Sequence, residues 1–233
     1  MTQKIFPRVY RAYFEYLYAR HKDPWDYETD PYERDKYART LEALGGRRFT
    51  RALDVGCSIG VLTALLAHSC DDLVAIDASA LAIRRARRRL APFSHVDVRR
   101  GSLPEDIPAG PFDLVVCSEV LYYFDEELLS ATLEGLKREL APGGVLLAVH
   151  GRFESKTCPL TGDEVHDHLK ANIGLEHDIE ANGPRFRLDL FRSPTAPGES
   201  RAAVEAGACS IIDRLLNTVL LGPPVRAEPD GSP

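Results

Sequence analysis

The segment from Arg51 to Gly60 constrains this chain more than any other stretch of it. It has the pattern of a buried strand that ends in a tight glycine turn, and an apolar helix begins directly after Gly60. Carboxylates follow two successive strands, Asp54 at the end of this one and Asp77 after the apolar run 72–76. A glycine turn lets backbone approach a ligand closely, and an acid at the next strand end can bind both hydroxyls of a ribose. The pattern therefore predicts an open α/β sheet with a nucleoside site.

The glycine turn fits more than one sequence pattern, and the patterns differ in chemistry. Gly56 to Gly60 matches G-x-S-x-G, which would make Ser58 a hydrolase nucleophile, but no His-Gly-Gly run precedes it and it would lie on the first strand. The dinucleotide pattern G-x-G-x-x-G fails because position 58 is serine and no third glycine follows at the required spacing. Asp54 to Gly60 does satisfy the [D/E]-x-G-x-x-x-G turn of class I methyltransferases. An ordinary βα turn remains the structural alternative.

Apolar strands and helices alternate from residue 51 to residue 150. This alternation predicts an α/β fold with a doubly wound, mostly parallel sheet of seven strands and helices on both faces. The predicted strands are 51–55, 72–76, 95–99, 112–117 and 144–150, followed by an antiparallel pair at 174–179 and 185–191. The predicted helices are 60–68, 79–90, 125–139 and 162–171, with Ser79 as one cap and Thr161 to Glu164 as a capping box.

The two ends of the chain differ from this central region. Amphipathic helical patterns occur at 8–20 and 32–44, before the first strand, and at 200–220, after the last. The predicted division is an N-terminal helical lid over 1–49, a methyltransferase-type domain over 50–192, and a linker, a C-terminal helix and a disordered tail over 193–233. The apolar stripe of the C-terminal helix either packs on the domain or forms a subunit contact, so a monomer and a homodimer both remain open.

Charge and cysteine usage argue against several classes of function. Charged residues make up 27% of the chain and its net charge is -6, so a nucleic-acid partner is not favoured. The run Arg84 to Arg89 is predicted to be a solvated helix face. The five cysteines have no metal-ligand spacing, and their odd number predicts reduced thiols and no metal site. No apolar run approaches the length of a membrane span and no signal peptide is recognisable, so we expect a cytoplasmic protein without a membrane partner.

Further blocks accompany the glycine turn: Asp-Pro-Trp at 23–25 followed by Tyr32-Glu33 and Lys36-Tyr37, Ser-Glu-Val-Leu-Tyr-Tyr at 118–123, Leu-Ala-Pro-Gly-Gly at 140–144, Ala-Val-His at 148–150 and Pro-Leu-Thr-Gly-Asp-Glu-Val-His at 159–166. Over residues 20–192 the chain resembles the S-adenosylmethionine-dependent methyltransferases, and within them the nodulation protein S type. The resemblance implies a Rossmann-like class I fold, S-adenosylmethionine as the cofactor, and N-methylation of a small molecule such as an amino sugar. Oxygen methylation is the nearest alternative, and a noncatalytic module that only binds the cofactor is a second.

The resemblance also implies where the cofactor lies. The expected cofactor-binding residues are Trp25, Tyr32, Asp54, Gly56, Cys57, Ser58, Gly60, Asp77, Ala78, Ser102, Leu103, Ser118 and Glu119. Asp77 is expected at the ribose hydroxyls, with a helix cap as its structural alternative, and Leu103 is expected to cover the adenine. The family has an acid where this chain has Ser102, so Glu105, Asp106 or backbone alone would contact the adenine amine.

The acceptor is expected beyond the fourth and fifth predicted parallel strands. Methyl transfer needs the nucleophile, the methyl carbon and the sulfur in line, and an amine that arrives protonated also needs a base. The expected acceptor-binding residues are Tyr122, Tyr123, His150, Arg152 and His166, and the expected catalytic residues are Glu119, His150 and Tyr122. Each base has a structural alternative: His150 caps a buried strand, His166 is exposed on its helix, or Glu119 pairs with Arg152.

Overall fold

A seven-stranded sheet forms the centre of the computed structural model, which describes residues 6–195. Its strands are β1 (Phe49–Val55), β2 (Cys70–Asp77), β3 (Val96–Arg100), β4 (Phe112–Ser118), β5 (Leu140–Gly151), β6 (Glu176–Asn182) and β7 (Phe186–Arg192). The helices are α1 (Phe6–Arg20), α2 (Pro31–Ala43), α3 (Val61–Leu66), α4 (Ala80–Leu90), α5 (Glu126–Arg138) and α6 (Gly162–Asn172). The strand order is β3-β2-β1-β4-β5-β7-β6. Strand β7 is antiparallel to both neighbours, and the other pairs are parallel.

The predicted doubly wound, mostly parallel seven-stranded sheet is confirmed. Strand β5 begins earlier than predicted, at Leu140, which pairs with Phe112 before the register shifts. The segment 140–144 is therefore an irregular part of the strand rather than a turn that precedes it. The predicted C-terminal helix at 200–220 and the tail lie outside the described residues, and the division of the chain at residue 49 stays a prediction.

Both faces of the sheet are buried because helices pack on each of them. Successive residues of the central strands point to opposite faces, so each strand contributes to two cores. Leu114 of β4 belongs to the same core as Leu65 of α3. The next residue, Val115, belongs to the core on the other face with Leu129 of α5. Full burial of one such side chain contributes roughly 1.5–3 kcal/mol. The strand order reverses between β1 and β4, so the carboxyl ends of these strands open the crevice in which such sheets bind ligands.

Helix α1 is attached to α4 by reciprocal contacts at their ends. The carboxylate of Glu15 accepts hydrogen bonds from the N–H groups of Ala80 and Leu81, at the start of α4. In return, the guanidinium of Arg85 on α4 donates to the carbonyl of Tyr18 at 2.6 Å and to two carbonyls just beyond α1. A carboxylate at a helix start and a guanidinium at a helix end both complement the helix dipole. These contacts seat α1 over the carboxyl edge of the sheet.

The arginine run on α4 differs in part from the predicted solvated face. Arg84 and Arg88 are exposed, as expected. Arg85 instead contacts the end of α1, and Arg89 pairs with Glu28 in the segment between α1 and α2. Two of the guanidinium groups therefore join the N-terminal segment to the sheet.

Smaller predictions can be checked directly. The hydroxyl of Ser79 accepts from the N–H of Ala82 at 3.1 Å, and Thr161 and Glu164 form the predicted capping box. The four cysteines of the described range, Cys57, Cys70, Cys117 and Cys158, are free thiols. None of the helices between residues 6 and 195 combines the length and the apolar character that crossing a membrane requires.

Candidate active site

A cavity of about 580 Å³ lies at the carboxyl edge of the sheet, beyond the ends of β1, β2 and β4. This volume is within the range of small-molecule sites, roughly 300–1,000 Å³. The sequence-predicted residues that line it are Trp25, Gly56, Ser58, Asp77, Ala78, Ser102, Leu103, Glu119 and Tyr123. Aromatic residues of α1, namely Tyr10, Phe14 and Tyr18, also line it, as does Tyr27.

The glycine turn forms one wall of the cavity, and its glycines have different roles. Gly56 has φ +74°, and a Cβ there would lie 2.9 Å from the side chain of Val120, so glycine is required. Gly60 has φ +81° and does not line the cavity. A Cβ at Gly60 would meet Leu90 and Ala86 of α4 at 3.0 and 3.2 Å. The expected cofactor contact of Gly60 is thus replaced by close packing of α4 on the turn.

Asp77 joins the glycine turn to the start of α4. Its Oδ2 accepts from the N–H of Ser58 at 3.0 Å, and its Oδ1 accepts from the N–H of Ser79 at 2.8 Å. A carboxylate has about four acceptor sites, so both oxygens keep capacity for a ligand in the cavity. Burial raises the pKa of Asp77 to about 6, and its two backbone hydrogen bonds act in the opposite direction. The carboxylate therefore serves a structural role and is also available to a ribose diol.

The loop after β3 supplies the part of the cavity in which a base would fit. Leu103 is buried and lines the cavity together with Ala78, which gives an apolar surface. Ser102, Glu105 and Asp106 line the same region and give it polar edges. Asp106 accepts from the N–H of Ser102 at 2.9 Å, so this acid also shapes the loop. Apolar surface, polar edge and the nearby diol acceptor together fit an adenosyl group.

An aromatic roof, formed by Phe14, Tyr18, Trp25, Tyr27 and Tyr123, covers the cavity. Ring centroids are 4.8 Å apart for Phe14 and Tyr123, and 5.6 Å apart for both the Tyr18–Trp25 and the Trp25–Tyr27 pairs. Trp25 thus packs on α1 and also lines the cavity, where it was expected to contact the cofactor. Such a roof limits the access of water and presents ring faces to a cation.

The hydroxyl of Ser58 contacts the phenol of Tyr18 at 2.5 Å, which connects the glycine turn to the roof. A hydrolase serine needs an imidazole or another base in this place. The contacts recorded for the described residues give Ser58 Oγ a phenol partner instead. The nucleophile interpretation of G-x-S-x-G therefore has no catalytic partner in this part of the chain.

Glu119 lines the cavity after β4 and takes part in an ionic cluster with Lys36. Lys36 is fully buried and contacts Glu119 Oε1 at 2.5 Å and Glu33 Oε1 at 2.8 Å. Glu119 Oε2 accepts from the phenol of Tyr122 at 2.7 Å and from the N–H of Gly151 at 3.1 Å. Burial opposes the charge of Lys36, but the two glutamates outweigh it and raise the pKa of Lys36.

The predicted ion pair of Glu119 with Arg152 is wrong, because Glu119 pairs with Lys36 instead. Arg152 is exposed and pairs with Asp163 at 3.0 Å, away from the cavity. Glu119 has φ +54°, a backbone conformation that costs about 1–3 kcal/mol in a residue other than glycine unless its surroundings hold it. Its hydrogen bonds to Lys36 and to neighbouring groups provide that support. No local pattern in the sequence indicates the pairing of Lys36 with Glu119, because the two residues lie 83 positions apart.

The two histidines expected at the acceptor are buried instead. His150 and His166 are both 0% exposed and do not line the cavity, so neither can contact an acceptor in this conformation. The N–H of Leu121 donates to His150 Nε2 at 3.2 Å, and His150 Nδ1 contacts His166 Nε2 at 3.0 Å. His166 Nδ1 contacts Asp189 Oδ2 at 2.5 Å. The expectation of direct acceptor contact fails because the carboxyl end of β5 is covered by α6 and by β7.

The remaining expected residues lie in two places. Asp54, Cys57 and Ser118 line a small adjoining cavity of about 30 Å³, which also touches Gly56, Ser58 and Glu119. Asp54 accepts from the hydroxyl of Thr63 at 2.6 Å, and burial raises the pKa of Asp54 to about 6. Tyr32 lies outside both cavities, with its ring 3.9 Å from the guanidinium of Arg185. Tyr122 is buried and does not line the cavity, but it contacts two residues that do, Glu119 through its phenol and Tyr123 through its ring.

The sequence and the fold of this chain are similar to those of known proteins. The model of the family Nodulation protein S (NodS) matches residues 17–165, more than half of the chain. Nodulation protein S of Rhizobium tropici is 36% identical over 185 residues, which cover 75% of this chain and 77% of the relative. Nodulation protein S of Azorhizobium caulinodans is 30% identical over 174 residues, which cover 73% and 79%. The solved N-methyltransferase NodS from Bradyrhizobium japonicum WM9, in complex with S-adenosyl-L-homocysteine, has a TM-score of 0.71 and 27% identity over 79% of this chain and 98% of that one.

Proposed function

Because this chain belongs to the nodulation protein S (NodS) family of S-adenosylmethionine-dependent N-methyltransferases, we propose that its acceptor is the amine of an amino sugar or of a related metabolite. The chain is an enzyme that transfers a methyl group from S-adenosylmethionine to a small molecule. The proposal concerns the chemical class of that molecule. One observation carries it, namely the charge of the residues that line the cavity.

The cavity is strongly acidic. Its lining includes the carboxylates of Asp77, Glu105, Asp106, Glu119, Asp125 and Glu127, against the single guanidinium of Arg11 among the described lining residues. A cavity lined by one sign of charge raises the local concentration of ligands of the opposite sign. A protonated amine is attracted into such a cavity, whereas an acceptor that carries a phosphate or carboxylate is repelled. The sugar hydroxyls of an amino sugar would also find carboxylate acceptors there.

The chemistry divides between the cofactor and the chain. S-adenosylmethionine supplies a methyl group that is already activated on a sulfonium, so the protein has no covalent step of its own to perform. We assign the ribose hydroxyls to Asp77 and the adenine to the loop 101–106. The aromatic roof excludes water and leaves ring faces available to a cation. We assign the orientation of the acceptor nitrogen to Glu119 and Tyr123, and an indirect role through Glu119 to Tyr122.

The ionic cluster of Glu119 and Lys36 favours nitrogen over oxygen as the acceptor atom. A hydroxyl has to lose a proton to become a good nucleophile, which requires a strong base within hydrogen-bond reach. Glu119 is committed to Lys36, Tyr122 and the N–H of Gly151, and His150 lies outside the cavity. An amine needs only to lose its proton to water or to a weak base. Oxygen methylation therefore remains the second candidate.

A blocked amine gives the sharpest test of the proposed acceptor. The protein is incubated with S-adenosylmethionine and with glucosamine, or with N-acetylglucosamine as the matched control whose amine is acylated and whose hydroxyls are unchanged. We expect release of S-adenosylhomocysteine with glucosamine only, and an N-methyl group in the product by mass spectrometry and NMR. Equal turnover of both sugars would indicate oxygen methylation. Turnover of neither, with normal cofactor binding, would exclude simple amino sugars as acceptors.

The charge argument has its own variant test. Asp125→Asn combined with Glu127→Gln removes two carboxylates at the cavity lining and keeps their shapes. We expect the KM for a cationic acceptor to rise by about tenfold because the attraction in the cavity is weakened. The affinity for S-adenosylhomocysteine should change less than the KM. An unchanged KM would remove the observation on which the amine assignment rests.

A further inference from the structure

A hydrogen-bonded chain runs through the core from β7 to the loop after β4. It connects Asp189 of β7 to His166 of α6, His166 to His150 of β5, and His150 to the backbone N–H of Leu121. The side chains of Asp189, His166 and His150 are 0% exposed. None of the three lines the cavity, and the transfer of a methyl group does not use them directly. Their burial and their connection to a backbone group indicate a structural task for this chain.

The direction of every hydrogen bond in the chain is determined by its two ends. The N–H of Leu121 can only donate, so His150 Nε2 must accept and carries no proton. A neutral His150 then bears its proton on Nδ1 and donates it to His166 Nε2. His166 in turn bears its proton on Nδ1 and donates it to the carboxylate of Asp189. Both rings are therefore neutral and both carry the proton on Nδ1.

The charges around the chain agree with this assignment. Burial lowers the pKa of both His150 and His166, which keeps the rings neutral. Burial works against the charge of Asp189, but His166, His177 and Arg187 stabilise that charge and lower the pKa of Asp189. Arg187 Nε donates to Asp189 Oδ2 at 3.0 Å, and His177 Nε2 lies 2.7 Å from Asp189 Oδ1. The acidic end of the chain is thus anchored as an anion.

The Leu121 end of the hydrogen-bonded chain lies next to residues that line the cavity. Leu121 begins the short 3-10 turn Leu121–Tyr123, two residues after Glu119 with its left-handed φ. This turn directs the phenol of Tyr122 to Glu119 and places Tyr123 on the cavity wall. We infer that His150, His166 and Asp189 are positioning residues that hold the turn 121–123, and through it Glu119 and Tyr123, in the geometry for methyl transfer. The inference depends on the methyltransferase activity and not on the identity of the acceptor.

The protonated nitrogens can be observed without any variant. Histidine labelled with ¹⁵N on the ring distinguishes a protonated nitrogen from a bare one by its chemical shift and by its coupling to the ring protons. We expect two of the seven histidines to be neutral with the proton on Nδ1, and to keep this state between pH 6 and pH 8. His150→Gln and His166→Gln assign the two signals. A proton on Nε2 of either ring, or a charged ring, would contradict the inference.

Kinetics then separate positioning from general stability. His150→Leu removes the acceptor for the N–H of Leu121, whereas Gln can place an amide oxygen near the position of Nε2. We expect kcat to fall by about ten- to a hundredfold in His150→Leu, since small displacements near reacting groups have effects of this size. His150→Gln should recover most of the loss. The affinity for S-adenosylhomocysteine should stay within about twofold in both variants, because most of its expected contacts lie at the ends of β1, β2 and β3, away from the turn 121–123.

A second histidine on α6 provides the control. His168 contacts the hydroxyl of Ser130 and has no part in the chain, so His168→Gln should keep the kcat of the parent protein. Transfer is measured with whichever acceptor turns over, and the NMR experiment needs no acceptor, so a wrong acceptor class would not be mistaken for a wrong inference. An unchanged kcat in His150→Leu would overturn the inference. If that variant does not fold, the proton positions in the unmodified protein decide.

Discussion

The two sides of the active-site cavity are built in different ways. The cofactor side, at the ends of β1 to β3, depends on backbone: a glycine turn, the N–H groups of Ser58 and Ser79, and one carboxylate, Asp77, that connects them. Most of its parts come from short stretches at the ends of successive strands. A local motif is sufficient to specify such a site, and the same construction can accept many different neighbours.

The acceptor side, at the ends of β4 and β5, depends on buried side chains that come from distant parts of the chain. Lys36 reaches Glu119 across 83 positions of sequence, and Asp189 supports His166 and His150 from β7. Each of these groups is polar and is buried only because its partner is present. We therefore expect the acceptor side to respond to substitutions with a loss of stability, and the cofactor side to respond mainly with a loss of affinity.

The largest effect is expected from Lys36→Met. Removal of the buried ammonium leaves Glu33 and Glu119 without compensation, and loss of one partner of a buried ion pair costs about 3–5 kcal/mol. Unfolding in urea, followed by circular dichroism, measures this change in the free energy of unfolding. The control is Lys170→Met, whose pair with Glu180 is exposed to solvent and should contribute little to stability. Similar losses in both variants would break the proposed contrast between the two sides.

Asp77→Ala should produce the largest loss of cofactor affinity. Hydrogen bonds to a charged group contribute about 1.5–3 kcal/mol each, so we expect the Kd for S-adenosylhomocysteine to rise by about a hundredfold or more. Titration calorimetry measures this Kd. Asp72→Ala is the control. Asp72 lies near the opposite end of the same strand, where it pairs with Arg51, so this variant should bind S-adenosylhomocysteine normally. Normal binding in Asp77→Ala would mean that the ribose lies elsewhere.

Cofactor binding should weaken in mild acid. The pKa of Asp77 is raised to about 6, and only the ionised carboxylate can accept from both ribose hydroxyls. We expect the Kd for S-adenosylhomocysteine to rise by about tenfold from pH 7 to pH 5. Asp77→Asn should bind more weakly but should lose most of this pH dependence, which separates Asp77 from Asp54, whose pKa is also about 6. A dependence that persists in Asp77→Asn would assign the titration to another group.

The stability of the free protein should depend on Asp77 in the opposite sense. A carboxyl group whose pKa is raised in the folded state stabilises the fold fully below its ordinary pKa of 3.8. That contribution is lost as the pH rises through about 6. The free energy of unfolding of Asp77→Asn, compared with that of the parent between pH 4 and pH 7, measures it. A difference that does not vary over this range would contradict the pKa assignment.

The smallest effect is expected at Ser58. Ser58→Ala removes one neutral hydrogen bond, to Tyr18, and should weaken S-adenosylhomocysteine binding by about threefold. Tyr18→Phe removes the same hydrogen bond from the roof, and the double variant should add little to either single one. Calorimetry measures the three Kd values. Hydrolysis of a test ester by the parent protein that disappears in Ser58→Ala would instead revive the hydrolase interpretation.

The contrast between the two sides also explains what could be predicted from sequence. The sheet, its helices and the position of the glycine turn and Asp77 at the cavity were predictable, because buried strands are apolar runs and the turn with Asp77 is a local pattern. The acceptor side was predictable only as a list of residue types after strand ends. His150 and His166 were expected at the acceptor because polar residues there are often functional, but the packing of α6 and β7 buries both. Their partner Asp189 gave no signal, since an acid in a strand is ordinarily exposed.

The reciprocal contacts between α1 and α4 have a consequence for ligand exchange. A movement that lifts α1 off the cavity separates Glu15 from the first N–H groups of α4 and also separates Arg85 from the last carbonyls of α1. Both helix termini lose their partners in the same event, so even a slight tilt of α1 breaks these hydrogen bonds before the cavity opens to solvent. We therefore expect the roof to be either shut or fully raised, with few intermediate positions, and product escape to wait for a rare opening.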